Sequence, residues 1–250
     1  MISVEQAFKQ IDTIQPLNAI EISLVDALNY TLSEGVKSPI NMPPFNQSAM
    51  DGYAVNGTGD SFELIGEIQA GTNATAIEIK EGQAVRIFTG AMVPTSATTV
   101  IRQEIVEKME NSISITNNYG QNENIRLEGE QIKFNELAAK KGTRITAGVI
   151  GFLVGIGIET VSVYRNPKIA VVATGDELVS AGQKLTPGKI YESNSNMIQA
   201  ALKSIGFECE IYRVADDFES TKNLFSQLIS KNDLIIAAGG ISVGDYDFVG

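Results

Sequence analysis

The sequence predicts an α/β protein of several domains, and three observations carry that expectation. After Pro167, short apolar runs alternate with amphipathic stretches in the order strand, helix, strand, helix, strand. Residues 62–116 instead hold short β-type runs separated by turn-forming Gly and Asn. The first forty residues read as helix followed by linker. With 250 residues, 43% hydrophobic and 20% charged, the chain fits one large domain or two smaller ones around a real core.

Residues 3–14 read as a helix, because Ser3 and Gln6 have capping-box spacing and Val4, Ala7, Phe8 and Ile11 form a stripe. A second short helix is expected over 24–32, where Ser23 and Asp26 repeat that spacing, and 35–44 should be extended. Strands are expected at 62–68, 84–88, 99–106 and 112–116, with 119–130 polar and irregular. Residues 145–158 are the most apolar stretch, but fourteen residues fall short of the roughly 20 needed to cross a bilayer. A buried helix capped by Thr146 is expected there, with Gly151 and Gly155 four apart for close packing.

Beyond it, strands at 169–173, 207–214 and 234–238 alternate with helices at 194–205 and 219–230. The first of these helices should bury Met197, Ile198, Ala201, Leu202 and Ile205. Right-handed crossovers would bring 174–193, 215–218 and 239–247 to one edge of a parallel sheet. The expected domains are 1–40 with 136–166 (helical and linker), 41–135 (small and β-rich), and 167–250 (α/β).

Composition removes whole classes of chemistry. A net charge of −11 argues against general nucleic-acid binding. No membrane span and no signal-peptide core are expected. The absence of histidine excludes Ser-His-Asp and Cys-His catalysis and histidine metal sites. The only cysteine, Cys209, forms neither an internal disulfide nor a cysteine-rich metal site, and a reducing cytoplasm fits. Hard oxygen donors remain, with Mg²⁺ as their natural ion. They gather in two loops that follow expected strands: Thr174-Gly-Asp-Glu-Leu178 and Gly239-Gly-Ile-Ser-Val-Gly-Asp-Tyr-Asp247. Ligands of open α/β sheets bind at such strand ends. Glycines there let backbone N–H groups approach an anion, and carboxylates hold a cation.

Four strings in order extend this reading: residues 43–55 (Pro-Pro-Phe-Asn-Gln-Ser-Ala-Met-Asp-Gly-Tyr-Ala-Val), Phe88-Thr-Gly-Ala91, and the starts of the two loops. Together they resemble the molybdopterin molybdenumtransferase family, which includes bacterial MoeA proteins and the gephyrin E domain. The resemblance implies a molybdopterin-binding type of α/β domain after residue 167 and a homodimer with its cleft between subunits. It also implies Mg²⁺-dependent insertion of molybdate into adenylylated molybdopterin, with release of AMP. A molybdopterin adenylyltransferase would be the upstream partner. The alternative is a non-catalytic molybdopterin-binding or scaffold homologue.

On this resemblance Asp51, Glu177, Asp216 and Asp247 are the catalytic carboxylates, and Asp51, Glu177 and Asp247 also ligate metal. For Asp51 the competing reading is a plain Asp-Gly turn. Thr89 and Gly90 offer a hydroxyl and amide to an anion, or form a structural turn. Ser193 and Asn194 bind ligand or cap the next helix; Asp176 and Asp217 are alternatives as caps. Gly239, Gly240, Ser242 and Gly244 suit a phosphate or pterin cradle, and Asp245 is a ligand or a solvated charge. Two departures stand out. Gln131 replaces the usual Asp after Arg126-Leu-Glu-Gly-Glu130, and the family continues past the position of Gly250 with a lysine-bearing segment and a C-terminal β domain. The expectation is a truncated form with a partial α/β domain.

Overall fold

Ser3 opens the first helix, α1 (Val4–Ile11), through the reciprocal bonds its spacing predicts. Its hydroxyl accepts from the Gln6 amide at 3.2 Å, and the Gln6 side chain accepts from the Ser3 amide at 2.9 Å. The helix buries none of its residues, so the Val4, Phe8 and Ile11 stripe is exposed. The computed structural model describes residues 2–240 and 248–249. These divide into two compact units, Met1–Glu34 with Lys141–Ile150 and Thr160–Gly250, and Gly35–Lys140 with Gly151–Glu159.

In the first unit α1 is followed by β1 (Ala19–Ser23) and β2 (Thr31–Leu32). The helix expected over 24–32 does not form; a single 3₁₀ turn, Leu24–Asp26, stands in its place. Asn29 turns the chain with φ 72°, and the amides of Asn29 and Leu32 go to the carbonyls of Ile145 and Thr143. Backbone donors bound to a distant segment cannot propagate a helix.

The second unit contains β3 (Val36–Lys37), β4 (Gln47–Ser48), β5 (Gly52–Val55), β6 (Ser61–Ile68), β7 (Gln83–Ile87), β8 (Thr99–Arg102), β9 (Val106–Lys108), β10 (Ser112–Ile115), β11 (Ile125–Arg126) and β12 (Leu137–Ala139). Six of them form one sheet in the order β8-β5-β7-β6-β10-β9. Its faces follow the two-residue period of strands. Ala54, Val85, Ile87 and Val100 join one core, and Tyr53, Val55, Ala84 and Ile101 join the other. The strand expected over 99–106 is interrupted by a 3₁₀ turn, Gln103–Ile105, because the Gln103 amide is drawn to the Asp51 carbonyl at 3.0 Å. Strand β5 is buried throughout.

Helix α2 (Ala147–Gly155) spans the apolar stretch, and the Thr146 hydroxyl accepts from the Val149 amide at 3.3 Å, as expected of a cap. Its expected burial is not found. Within the helix only Leu153 is buried, and side-chain positions built at Gly151 and Gly155 would meet nothing within 4 Å. Among the described residues no helix is long and apolar enough to cross a membrane.

Strand β13 (Thr160–Tyr164) completes the antiparallel sheet β1-β13-β2 in the first unit. The α/β part follows: β14 (Ile169–Thr174), β15 (Leu178–Val179), β16 (Ile190–Tyr191), α3 (Asn194–Ser204), β17 (Cys209–Val214), α4 (Phe218–Ile229) and β18 (Leu234–Ala238). The order β17-β14-β18 is parallel throughout, with Ile169 opposite Cys209 and Leu234. All six residues of β14 are buried. Thr174 lies opposite Val214 and Ala173 opposite Ala238, so the loops leaving the three strands share one edge, as the alternation predicts. Helix α3 is rotated from its expected face: Met197, Ala201 and Ile205 are exposed. Its covered line runs through Ser195, Ile198, Gln199 and Leu202, because Ser195 is pulled inward by the buried carboxylate of Glu192.

Candidate functional site

The site residues fall in both units. In the β-rich unit, Asp51 stands immediately before β5. Its Oδ1 accepts from the Thr89 amide at 2.8 Å and the Thr89 hydroxyl at 2.7 Å. These two bonds, the amide first, together with the nearby charge of Arg86, hold its carboxyl below the ordinary range. Residues Phe88–Ala91 form a turn closed by the Ala91 amide on the Phe88 carbonyl at 2.9 Å, with Gly90 at φ 81°. The hydroxyl and amide of Thr89 are therefore given to the protein's own carboxylate, and the Gly90 amide goes to the Ser48 carbonyl at 2.8 Å. A plain Asp-Gly turn is not what forms at 51–52. Gly52 lies inside β5, and a side-chain carbon on it would stand 2.1 Å from the Ile101 carbonyl oxygen.

In the α/β part, Gly175 adopts φ 144°, and the Glu177 carboxylate folds back against it. Asp176 and Asp216 exchange bonds across two strand ends. The Asp176 amide donates to Asp216 Oδ2 at 3.3 Å, and the Asp216 amide to Asp176 Oδ1 at 3.4 Å. Gly239 and Gly240 also take positive φ and pack on the Thr174 hydroxyl, where added side chains would come within 2.7 and 2.9 Å. A cavity of about 240 Å³ opens beside Gly175, Asp176, Arg213 and Ala215. Asp217 is the N-cap of α4; a bond from the Ser220 side chain, and then one from the Ser220 amide at 2.9 Å, depress its pKa. Ser193 occupies the N-cap position of α3, but its side chain makes no capping bond.

Glu192 takes that capping role. It is buried and accepts from the Ser195 amide at 2.7 Å, the Ser195 hydroxyl and the Asn196 side chain, with Arg213 at 3.6 Å. Burial opposes its ionisation, but the Ser195 bonds and the Arg213 charge prevail and lower its pKa. Arg213 also donates to Ser180, and the Lys189 ammonium donates to the Asp176 carbonyl at 2.6 Å. Sequence reasoning passed over Glu192, Arg213, Lys189 and Arg86. The one available signal was Glu192-Ser-Asn-Ser195, an acid three residues before a serine at a helix start.

Among the described residues no group of three or more His, Cys, Asp or Glu is placed to hold a metal ion. Asp51 belongs to one unit and Glu177 to the other. Ser242, Gly244, Asp245 and Asp247 lie outside the described residues. Asp176 and Asp216 nevertheless fit the usual Mg²⁺ mode, one or two carboxylates completed by phosphate oxygens and water.

Comparison with known proteins decides the family. The model described as MoeA N-terminal region (domain I and II) matches residues 2–157. The chain belongs to the MoeA family. A second model, described as a probable molybdopterin binding domain, matches residues 170–250. The molybdopterin molybdenumtransferase of Staphylococcus epidermidis is 37% identical over 260 residues, covering 99% of this chain and 62% of the relative. That of Staphylococcus aureus is 34% identical over 259 residues, with the same coverage. The chain thus spans 62% of the length of these curated relatives. A crystal structure of a molybdopterin biosynthesis MoeA protein from Pyrococcus horikoshii aligns with TM-score 0.84 at 28% identity, over 94% of this chain and 65% of that one. A second structure of a MoeA protein from the same species gives 0.77 at 30% identity, covering 96% and 64%. The multidomain α/β fold read from the sequence is the fold of these MoeA structures.

Proposed function

We propose that this chain acts in molybdenum cofactor biosynthesis, inserting molybdate into adenylylated molybdopterin with release of AMP. The observation that carries the reading is the shared strand-end edge. Gly175–Glu177, Ala215–Asp217 and Gly239–Gly240 leave three parallel strands together, within the segment matched by a molybdopterin-binding model. Asp176 and Asp216 would hold Mg²⁺ there, with Glu177 and Asp247 as further carboxylates. The ion would offset the phosphate charge as the phosphoanhydride breaks. Asp51 supplies a carboxylate that stays ionised at neutral pH and is oriented by Thr89. Ser193, Asn194 and the Gly239–Gly244 loop would bind the pterin and its phosphate.

The functional form in this proposal is a cytoplasmic homodimer that pairs Asp51 of one subunit with the α/β loops of its partner, fed by a molybdopterin adenylyltransferase. The test is metal-dependent AMP release from adenylylated molybdopterin. Asp51→Ala, Glu177→Ala and Asp247→Ala should each abolish it, and Gln131→Asp should tighten divalent-ion binding. Unchanged AMP release in all three alanine variants would overturn the catalytic assignment. Pterin binding without turnover in the unaltered protein would leave the scaffold reading.

A further inference from the structure

Arg86 lies opposite Tyr53 on the β7–β5 ladder, at the end of the sheet that carries Asp51. Its guanidinium is stacked on two rings, 5.0 Å from the centre of Tyr53 and 4.9 Å from that of Phe88. Tyr53 is two residues after Asp51, and Phe88 is the residue before Thr89. One planar cation therefore packs against both the segment that bears the acid and the segment that bears its two donors. The same guanidinium donates to the Gly52 carbonyl at 3.3 Å and to the Gln103 side chain at 2.6 Å. Gln103 in turn gives its amide to the Asp51 carbonyl at 3.0 Å.

We infer that Arg86 is a positioning residue for Asp51: it ties β5, the turn after β7 and the turn after β8 into one frame, so that the Thr89 donors meet the carboxylate. This rests on the proposed role of Asp51, although the geometry stands without it. The contact set explains why an arginine stands here. A guanidinium offers a flat face for stacking and a fork of donors in its plane, whereas an ammonium offers neither. An aliphatic residue would keep the packing and lose both hydrogen bonds.

Amide hydrogen exchange at Thr89, followed by NMR in this chain, tests the inference without any turnover. Arg86→Met should speed exchange of the Thr89 amide about tenfold, with the amides of β10 in the same sheet unchanged. Arg86→Lys should fall between the two, since it restores charge and one donor. If Arg86→Met does not fold, Gln103→Ala removes one leg of the frame and should loosen Thr89 by about threefold. In the AMP-release assay, Arg86→Met should lower kcat about tenfold with KM within about twofold. Unchanged protection at Thr89, or a loss spread evenly over β5 to β10, would overturn the inference. Absence of AMP release from the unaltered protein would instead defeat the proposed reaction, leaving the exchange result to decide the role of Arg86.

Discussion

The two clusters of candidate residues, one in each unit, hold their carboxylates in opposite ways. Asp51 is one acid fixed by two short bonds from a single residue, at the mouth of a sheet buried on both faces. Asp176 and Asp216 are two acids brought together at strand ends, each accepting from the other's amide, at 3.3 and 3.4 Å. Those distances lie beyond the usual N–H···O range of about 2.7–3.2 Å. The first arrangement is complete within the protein and keeps its acid ionised. The second joins two acid-bearing strand ends by long reciprocal bonds, and under the proposed function a cation would complete it. Tight internal support goes with the lone acid, and under the proposed function ligand dependence goes with the pair.

The largest test of this contrast attacks the rigid half. Gly52→Ala would drive a methyl carbon to 2.1 Å from the backbone oxygen of Ile101, in a strand flanked on both sides. Backbone in a sheet interior cannot yield as a flexible side chain can. The expected cost is about 3 kcal/mol or more, or failure to fold. Gly66→Ala, in the same sheet but with nothing within 4 Å of the new carbon, should stay within about 0.5 kcal/mol. Urea unfolding of both variants checks the pair of outcomes.

Glu192 supports the α/β half, and its removal should cost less. Glu192→Ala leaves the Ser195 amide at the start of α3 without its acceptor and should destabilise by about 1–2 kcal/mol at pH 7. The pH dependence has a definite sign. The folded-state pKa is lowered, so the contribution is present above the ordinary glutamate value of about 4.3 and is lost as pH falls through the folded value. Glu192→Gln should therefore flatten the acid limb of the stability curve below about pH 5. An unchanged acid limb would show that Glu192 titrates alike folded and unfolded.

What the sequence disclosed follows the range of the forces involved. The parallel α/β part was legible because apolar runs and amphipathic periods are local, and 234–238 has the same limits in both readings. The capping box of α1 was legible for the same reason. Strand β5 was not, because Asp51-Gly52 reads as a turn until the Ile101 carbonyl is known to press on it. The helix expected over 24–32 failed through bonds to residues 143 and 145, far along the chain. In the candidate site the acids were named from motifs, but their partners were not. Of the two expectations for Thr89, ligand donor or structural turn, the turn forms and its donors serve Asp51, while Arg86 and Glu192 act across strands and helix starts that no short pattern marks.

The smallest and sharpest test uses two neighbouring aspartates. Asp217 caps α4, with a pKa depressed by the Ser220 bonds, whereas Asp216 faces Asp176 across the strand ends. Asp217→Ala should lower the melting temperature in the presence or absence of Mg²⁺, since the lost bond is internal to the helix start. Asp216→Asn keeps an oxygen to accept from the Asp176 amide, so the metal-free protein should melt at about the same temperature. The difference should emerge on adding Mg²⁺. A ligand that binds only the folded form raises stability by RT ln(1 + [L]/Kd), about 2.7 kcal/mol at a hundredfold excess over Kd. Asp217→Ala should keep that upward shift and Asp216→Asn should lose most of it, because the amide that replaces the carboxylate carries no charge to attract the ion. Equal Mg²⁺ shifts in both variants would remove Asp216 from the proposed metal site and break the contrast between the fixed acid and the paired ones.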